Sequence, residues 1–399
     1  MQSFVFSTTR TIINEPGAAR RLASLCDAEG ARSVMLVTDP GIIQAGLLED
    51  ILPAFNDANL SLTLFKEVEA DPADHTVEAA AAQARAANAD FIVGFGGGSA
   101  MDVAKLVAVL AHPNNKQPLA DMYGVGNARG PRLPLLQVPT TAGTGSEVTP
   151  IAIVTTGATT KAGVVSPVLQ PDIALLDAEL TRGLPAHVTA ATGIDAMVHA
   201  IEAYTSAHKK NPLSDLLAKE ALRLLANNLM TAVTDGNNLE ARSNMLLGAL
   251  YAGQAFANAP VAAVHALAYP LGGHFHLPHG LSNSLVLPHV MRFNAENATA
   301  AAQYAELAPV IMGSDGSNGD DLNRDDTNRV DLAVTNALIE WLEEKIKATG
   351  LPMRLRECKI NEGDLGLLAS EAMLQTRLLM NNPRDVTEAD ALAIYTAAF

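Results

Sequence analysis

The spacing of apolar positions divides this chain into two halves. In the first, short β-branched runs alternate with Ala-rich stretches of helical period. SVMLVTD (33–39), LTLFKEV (62–68), DFIVGFG (90–96) and LPLLQVPTT (133–141) predict strands, while HTVEAAAAQARAAN (75–88) and AMDVAKLVAVLA (100–111) predict helices between them. IAIVTT, KAGVVS and DIALLD add further short strands. Near-continuous apolar strands alternating with helices predict a parallel sheet covered on both faces. From about Pro185 the period becomes helical throughout. In TNALIEWLEEKIKATGLP (335–352), Leu338, Trp341, Leu342 and Ile346 form one apolar stripe, with Gly350 and Pro352 as stop signals. The expected division is an α/β domain over residues 1–184 and an all-α domain over 185–399. The polar stretch GSDGSNGDDLNRDDTNRVD (313–331) predicts an exposed loop between helices.

Length and composition agree with that picture and narrow the function. A chain of 399 residues exceeds one ordinary core, and 48% hydrophobic with 4% aromatic residues suits α/β and helical packing. The net charge of −16 argues against nucleic acid or an anionic membrane as partner. No run approaches the ~20 apolar residues that span a bilayer. The N-terminus lacks the basic and apolar regions of a secretory signal, and Cys26 and Cys358 match no CxxC pattern, so a reducing cytoplasm is expected.

Candidate chemistry in the first half sits on two loops. FIVGFGGGSAMDVAK (91–105) places Gly96, Gly97 and Gly98 after a strand and before a helix, where they let backbone approach a ligand. Ser99 and Asp102 read as a capping box at that helix start, and its free N–H groups suit a pyrophosphate. The run is neither G-x-G-x-x-G nor a Walker A loop; the alternative reading is a tight turn that binds nothing. A second loop, VPTTAGTGSEVT (138–149), adds Thr140, Thr141, Thr144, Ser146 and two glycines, a set that suits phosphate, ribose or nicotinamide but equally a self-satisfied turn. Asp39, ending the first long strand, is placed to accept ribose hydroxyls and to repel a 2′-phosphate, which favours NAD over NADP; it also simply starts a turn before Pro40.

The second half carries a metal-ligand pattern. Asp195 and His199 lie at i and i+4 in GIDAMVHAIEAY; His265 and Tyr269 share a face in the next His-bearing helix; His279 follows Pro278. One carboxylate and three imidazoles suit a borderline divalent ion such as Fe²⁺ or Zn²⁺. His274 would project away from His265 and is left out of the set.

GGGSAMDVAK, PTTAGTGSEVT, DAMVHAIEAY and HALAYPLGGHFHLPHG, in this order, together with MNNPR (380–384), resemble the group III, or iron-containing, alcohol dehydrogenases over nearly the whole chain. The resemblance implies a dehydroquinate synthase-like fold: an N-terminal dinucleotide-binding α/β domain, a C-terminal helical domain, and an active site in the cleft between them. It implies Asp195, His199, His265 and His279 as metal ligands. It implies Asp39, Gly96, Gly97, Gly98, Ser99, Asp102, Thr140, Thr141, Thr144, Thr149 and Lys161 as cofactor contacts, and a homodimer or larger homo-oligomer. The implied reaction is reversible hydride transfer between a small aliphatic alcohol and NAD, with Ile151 and Ile153 suggesting an apolar pocket wall. Two positions depart from the family: Tyr269 stands where many members have a proton-relaying His, and Ala73 where several have Asn. A Tyr has an ordinary pKa of ~10 against ~6.5 for His, so the relay at neutral pH is altered. Alternative activities on the same fold are a hydroxyacid–oxoacid transhydrogenase, a 4-hydroxyacid dehydrogenase and a dehydroquinate synthase-like lyase.

Overall fold

The computed structural model describes residues 3–157, 160–313 and 327–399. It contains two compact units, one spanning Ser7–Gly183 and one formed by Leu184–Phe399 with the short N-terminal segment ending at Phe6.

The α/β unit is built on a six-stranded parallel sheet. Its strands are β1 (Thr11–Asn14), β2 (Ser33–Val37), β3 (Ser61–Phe65), β4 (Phe91–Gly96), β6 (Leu135–Pro139) and β9 (Ile173–Leu176), in the order β1-β9-β6-β4-β2-β3. The predicted strands of the sheet are present, shortened at their ends; the edge strand β1 was not anticipated, because its four residues are half exposed and carry no long apolar run. Side chains alternate between two cores. Met35, Val37, Ile92 and Leu135 face helices α4 (Asp74–Ala86) and α5 (Gly98–Leu110). Val34, Leu36, Phe91, Val93 and Leu136 face α1 (Leu22–Ala28) and α3 (Pro53–Asp57) on the other side; α2 (Pro40–Gln44) is a single turn after β2. Two-sided burial is why these strands read as unbroken apolar runs. Three further strands lie apart: β7 (Ile151–Thr156) pairs antiparallel with β8 (Thr160–Val165), and β8 pairs parallel with the two-residue β5 (Gly124–Val125).

Topology decides where ligand loops can gather. Adjacent β2, β4 and β6 run the same way, so their C-terminal ends bring residues 38–41, 96–99 and 140–149 side by side, the usual ligand side of an open α/β sheet.

The other unit is helical: α6 (Ala186–Thr205), α7 (Pro212–Thr234), α8 (Leu239–Asn258), α9 (Ala263–Phe275), α10 (His279–Ala295), α11 (Ala298–Met312), α12 (Thr327–Ala348), α13 (Leu365–Ala372), α14 (Thr376–Leu379) and α15 (Glu388–Ala398). Helix α6 is buried at every residue from Gly193 to Thr205, although Asp195, His199 and Glu202 stand among its apolar residues. A Cβ on Gly193 would lie 2.6 Å from Leu229 Cδ1 and 2.7 Å from Met245 Cε, so its absence lets α7 and α8 close on α6. Of the polar stretch expected as a loop, residues 314–326 lie outside the described residues, and Thr327–Asp331 instead begin α12. Val330, Val334 and Leu338 extend the helical spacing backwards, which outweighs the polar composition of that turn.

Candidate metal centre and dinucleotide cradle

Asp195 and His199 project from one face of α6, His265 from the first turn of α9, and His279 from the first position of α10. One ligand atom from each lies within 4.8 Å of all the others. Asp195 Oδ1 is 3.5 Å from His279 Nε2, 3.9 Å from His265 Nε2 and 4.0 Å from His199 Nε2. A four-coordinate ion with bonds of about 2.1 Å needs donors roughly 3.4 Å apart, close to these separations. Asp195, His199 and His265 are buried, while the His279 side chain is 38% exposed and marks the open side of the cluster. The rings are held by stacking: His199 lies between Phe256, at 4.4 Å between centroids, and His265, at 4.7 Å. Burial by itself pushes the Asp195 carboxyl up, but His199, His279 and His265, with the Asn283 amide, outweigh it and hold the group below its ordinary value. The donor set and its burial fit a divalent ion, and the sequence reading of these four residues as one cluster corresponds to the geometry.

The structure adds two residues that the sequence reading missed. Asn283, one turn after His279 on α10, donates from Nδ2 to Asp195 Oδ1 at 2.5 Å and lies 3.3 Å from both His265 Nε2 and His279 Nε2. Glu202, one turn after His199 on α6, meets His265 Nδ1 at 2.6 Å and accepts from the Val264 N–H at 2.7 Å. Both signals were visible as spacings, i+4 from His279 and i+7 from Asp195. Tyr269 sits one turn beyond His265, its ring 6.0 Å from that of His279. His274 lies outside the cluster, 3.9 Å from Glu371.

In the α/β unit the loops converge as the strand order requires. Asp39 caps α2, accepting from Gly41 N at 2.8 Å and Ile42 N at 3.1 Å, while its other oxygen lies 3.1 Å from where a Cβ on Gly96 would stand. Gly96 has φ +151°, which favours glycine. The Thr140 N–H donates to the Gly96 carbonyl, joining the two loops. A Cβ on Gly98 would meet Thr144 Cγ2 at 2.8 Å, so the loops touch here and a methyl would require the Thr144 side chain to shift.

The capping-box expectation is corrected here. Helix α5 starts at Gly98 with Gly97 as its N-cap and no side chain capping it. Ser99 is therefore inside the first turn, and Asp102 is turned away to other partners. Asp102 accepts from Ser146 Oγ at 2.6 Å and from Ile153 N at 2.9 Å. The uncapped first turn, with Gly97, Gly98 and Ser99 half exposed, leaves N–H donors and the positive end of a 13-residue helix for an anion, which fits a pyrophosphate.

Below the loops lies a buried ion that sequence reasoning also missed. Lys105 Nζ donates to Ile151 O at 2.6 Å, Ser146 Oγ at 2.7 Å and Thr149 Oγ1 at 3.1 Å, with Asp102 Oδ1 at 3.5 Å. Burial pulls the Lys105 ammonium below its ordinary value, against Asp102 and Glu147, which favour its charge. Of the other expected cofactor residues, Thr140 and Thr149 are buried, Thr141 and Thr144 half exposed, and Lys161 on β8 pairs with Asp71 at 2.7 Å and Thr155 Oγ1 at 3.1 Å.

Known family models match both halves of the chain. Residues 9–178 match the family model described as iron-containing alcohol dehydrogenase, and residues 189–399 match the C-terminal model of the Fe-containing alcohol dehydrogenase family. The chain belongs to the iron-containing alcohol dehydrogenase family. Among curated relatives of this family, a long-chain-alcohol dehydrogenase 1 from Geobacillus thermodenitrificans is 39% identical over 384 residues, covering 96% of this chain and 93% of its own. Among solved family structures, a 1,3-propanediol oxidoreductase superposes with TM-score 0.92 at 34% identity over the whole of both chains. A sulfoacetaldehyde reductase from Bifidobacterium kashiwanohense, in complex with NAD+, superposes with TM-score 0.85 at 29% identity, covering 100% of this chain and 99% of its own. Among the described residues, no helix is long and apolar enough to cross a membrane.

Proposed function

We propose that the protein is a metal-dependent, NAD-linked alcohol dehydrogenase and aldehyde reductase that interconverts a small aliphatic alcohol and its aldehyde. One observation carries this reading: a carboxylate and three imidazoles converge within 4.8 Å, three of the four groups buried. Asp195, His199, His265 and His279 would hold the ion, Fe²⁺ by family, with Zn²⁺ suited to the same donors. When bound, the ion supplies a Lewis acid for the substrate oxygen, and NAD supplies the hydride acceptor.

The chain's own residues do the rest. Phe256 and the stacked imidazoles keep water from the buried side, so charge at the cluster is weakly screened. Exposed His279 defines the side from which substrate arrives. Tyr269, beside it, offers a phenolic hydrogen bond to the substrate oxygen in place of an imidazole, which makes it a donor that orients rather than a group that exchanges protons readily near neutral pH. The first turn of α5, with Gly97, Gly98 and Ser99, would receive the pyrophosphate; Thr141 and Thr144 present half-exposed hydroxyls beside it; and Asp39 would accept ribose hydroxyls, favouring NAD over NADP. Gly96 lets that carboxylate stand close. Asp102, Thr140, Thr149 and Lys161 support the same cradle from buried or paired positions. Ile151 and Ile153 are half exposed on β7 while Ala152 and Val154 are buried, which supports an apolar wall and a small aliphatic substrate. A cytoplasmic homodimer or larger homo-oligomer completes the proposal.

The test pairs elemental analysis of anaerobically purified protein with an NAD-reduction screen over primary alcohols, diols and 4-hydroxyacids. One divalent metal per chain and NADH formation from a primary alcohol are expected. An Asp195→Ala protein that keeps its metal and full turnover would sink the metal assignment. Preference for NADP would remove the role of Asp39.

A further inference from the structure

We infer that Glu202 is a positioning residue for the metal centre: its carboxylate fixes the tautomer and the orientation of His265 while fastening the helix that carries it. This inference rests on the metal reading above. Asp195, His199 and Glu202 stand at i, i+4 and i+7 on α6, so all three face the same way. Glu202 is 4% exposed. Its two oxygens divide their work between neighbours in α9. Oε1 accepts the Val264 N–H at 2.7 Å and Oε2 meets His265 Nδ1 at 2.6 Å.

The first contact answers a local need. Helix α9 begins after Ala262, which cannot cap it with a side chain, so a first-turn N–H at a buried helix start needs an acceptor. Glu202 supplies it from α6, and an anion there also suits the helix dipole. The second contact assigns a proton. An ionised carboxylate only accepts, so the hydrogen between Glu202 and His265 sits on Nδ1. That leaves the Nε2 lone pair facing the cluster, 3.9 Å from Asp195 Oδ1. Had Nε2 carried the proton, His265 could not ligate. A single carboxylate therefore sets where α9 starts and which ring nitrogen its histidine presents. Carboxylate partners of this kind are worth roughly 10–100-fold in metal affinity.

Three proteins test this: wild type, Glu202→Leu, which removes both acceptors, and Glu202→Gln, which keeps shape and one acceptor but places an N–H₂ beside the other donor. Affinity for Co²⁺ is measured by chelator competition and by the visible ligand-field spectrum. Thermal midpoints of the metal-free proteins and [¹⁵N]His spectra report fold and tautomer independently of any metal or turnover. We expect a wild-type His265 protonated at Nδ1, and Co²⁺ binding about 10–100-fold weaker in Glu202→Leu with an altered spectrum. In Glu202→Gln, affinity should fall wherever the spectra show the proton moved to Nε2, with the metal-free midpoint near that of wild type. Wild-type affinity in Glu202→Leu, or loss of the Nδ1 proton in Glu202→Gln without loss of affinity, overturns the inference. A wild-type protein that binds no metal at the cluster would instead overturn the function proposed above.

Discussion

Lys105 and Glu202 hold corresponding places in the two units and solve opposite problems. Each is a charged side chain buried on a long central helix, and each is tied both to a candidate ligand and to the backbone of the segment that carries it. Lys105 gathers oxygens: two hydroxyls and a carbonyl from the irregular chain between Ser146 and Ile151. Glu202 gathers N–H groups: a backbone amide and an imidazole from the first turn of α9. The difference follows from what each segment exposes. A loop that folds back towards a helix presents carbonyls and hydroxyls, which want a cation, whereas a helix start presents N–H donors, which want an anion. Both ions are saturated by partners, as burial demands.

The comparison can be broken most forcefully at the ligands. His265→Ala should lower kcat/KM on the order of 10³-fold, several kcal/mol of lost charge stabilisation, with metal content falling in parallel by elemental analysis. Activity within tenfold of wild type would mean that the helical unit holds no catalytic metal. Next in size is Lys105→Met, which strands the Asp102 carboxylate beside buried hydroxyls. A loss of about 3–5 kcal/mol in urea unfolding is expected, with metal content unchanged. A neutral result would show that the oxygens find water or each other and that the cation fastens nothing.

A third prediction uses pH. Burial pushes Glu147, in the same loop, up to about 7 from its ordinary 4.5, with its own backbone N–H and Lys105 opposing. Between those values the unfolded chain has released the proton while the folded one keeps it, so the folded state loses stability as pH rises from about 4.5 to 7 and the loss then levels off. The span corresponds to roughly 3 kcal/mol. Glu147→Gln should lack that slope and gain on wild type between about pH 4.5 and 7, and parallel stability curves for the two proteins across that window would refute the assignment. The smallest effect expected is at Gly98→Ala, whose methyl meets only the movable Thr144 side chain at 2.8 Å. About 1 kcal/mol of stability and a several-fold rise in KM for NAD are expected, read by unfolding and steady-state kinetics. An unchanged KM would remove the first turn of α5 from the cofactor site.

What could be read in the sequence was what repeats with a period or a fixed spacing. The main strands of the parallel sheet followed from apolar runs, and the Asp195, His199, His265 and His279 cluster from helical spacing combined with ligand chemistry. Edge strand β1 and two-residue β5 were too short to leave a pattern. The capping box at Ser99 failed because the glycine-rich turn lets the helix begin two residues early, at Gly98, freeing Asp102 for the loop around Ser146. Lys105 and Asn283 escaped for a different reason. The partners that give them meaning, Ser146 for Lys105 and Asp195 for Asn283, lie 41 and 88 residues away, and only the fold brings those groups together. Glu202 stood within one turn of His199, yet its meaning depended on α9 arriving beside it.

Gly280 carries a consequence for anyone who would change the metal preference of this centre. A Cβ there would stand 2.2 Å from the backbone oxygen of Ala191, so α10 and α6 meet main chain to main chain immediately next to His279. The spacing between the His279 anchor and the Asp195 helix is thus fixed by peptide groups and not by replaceable side chains. Exchanging His279 for Cys, Glu or Gln would vary donor softness and reach inside a frame that does not relax with the substitution. Such a series would report on coordination chemistry alone, which makes the helix pair a calibrated mould for comparing metals.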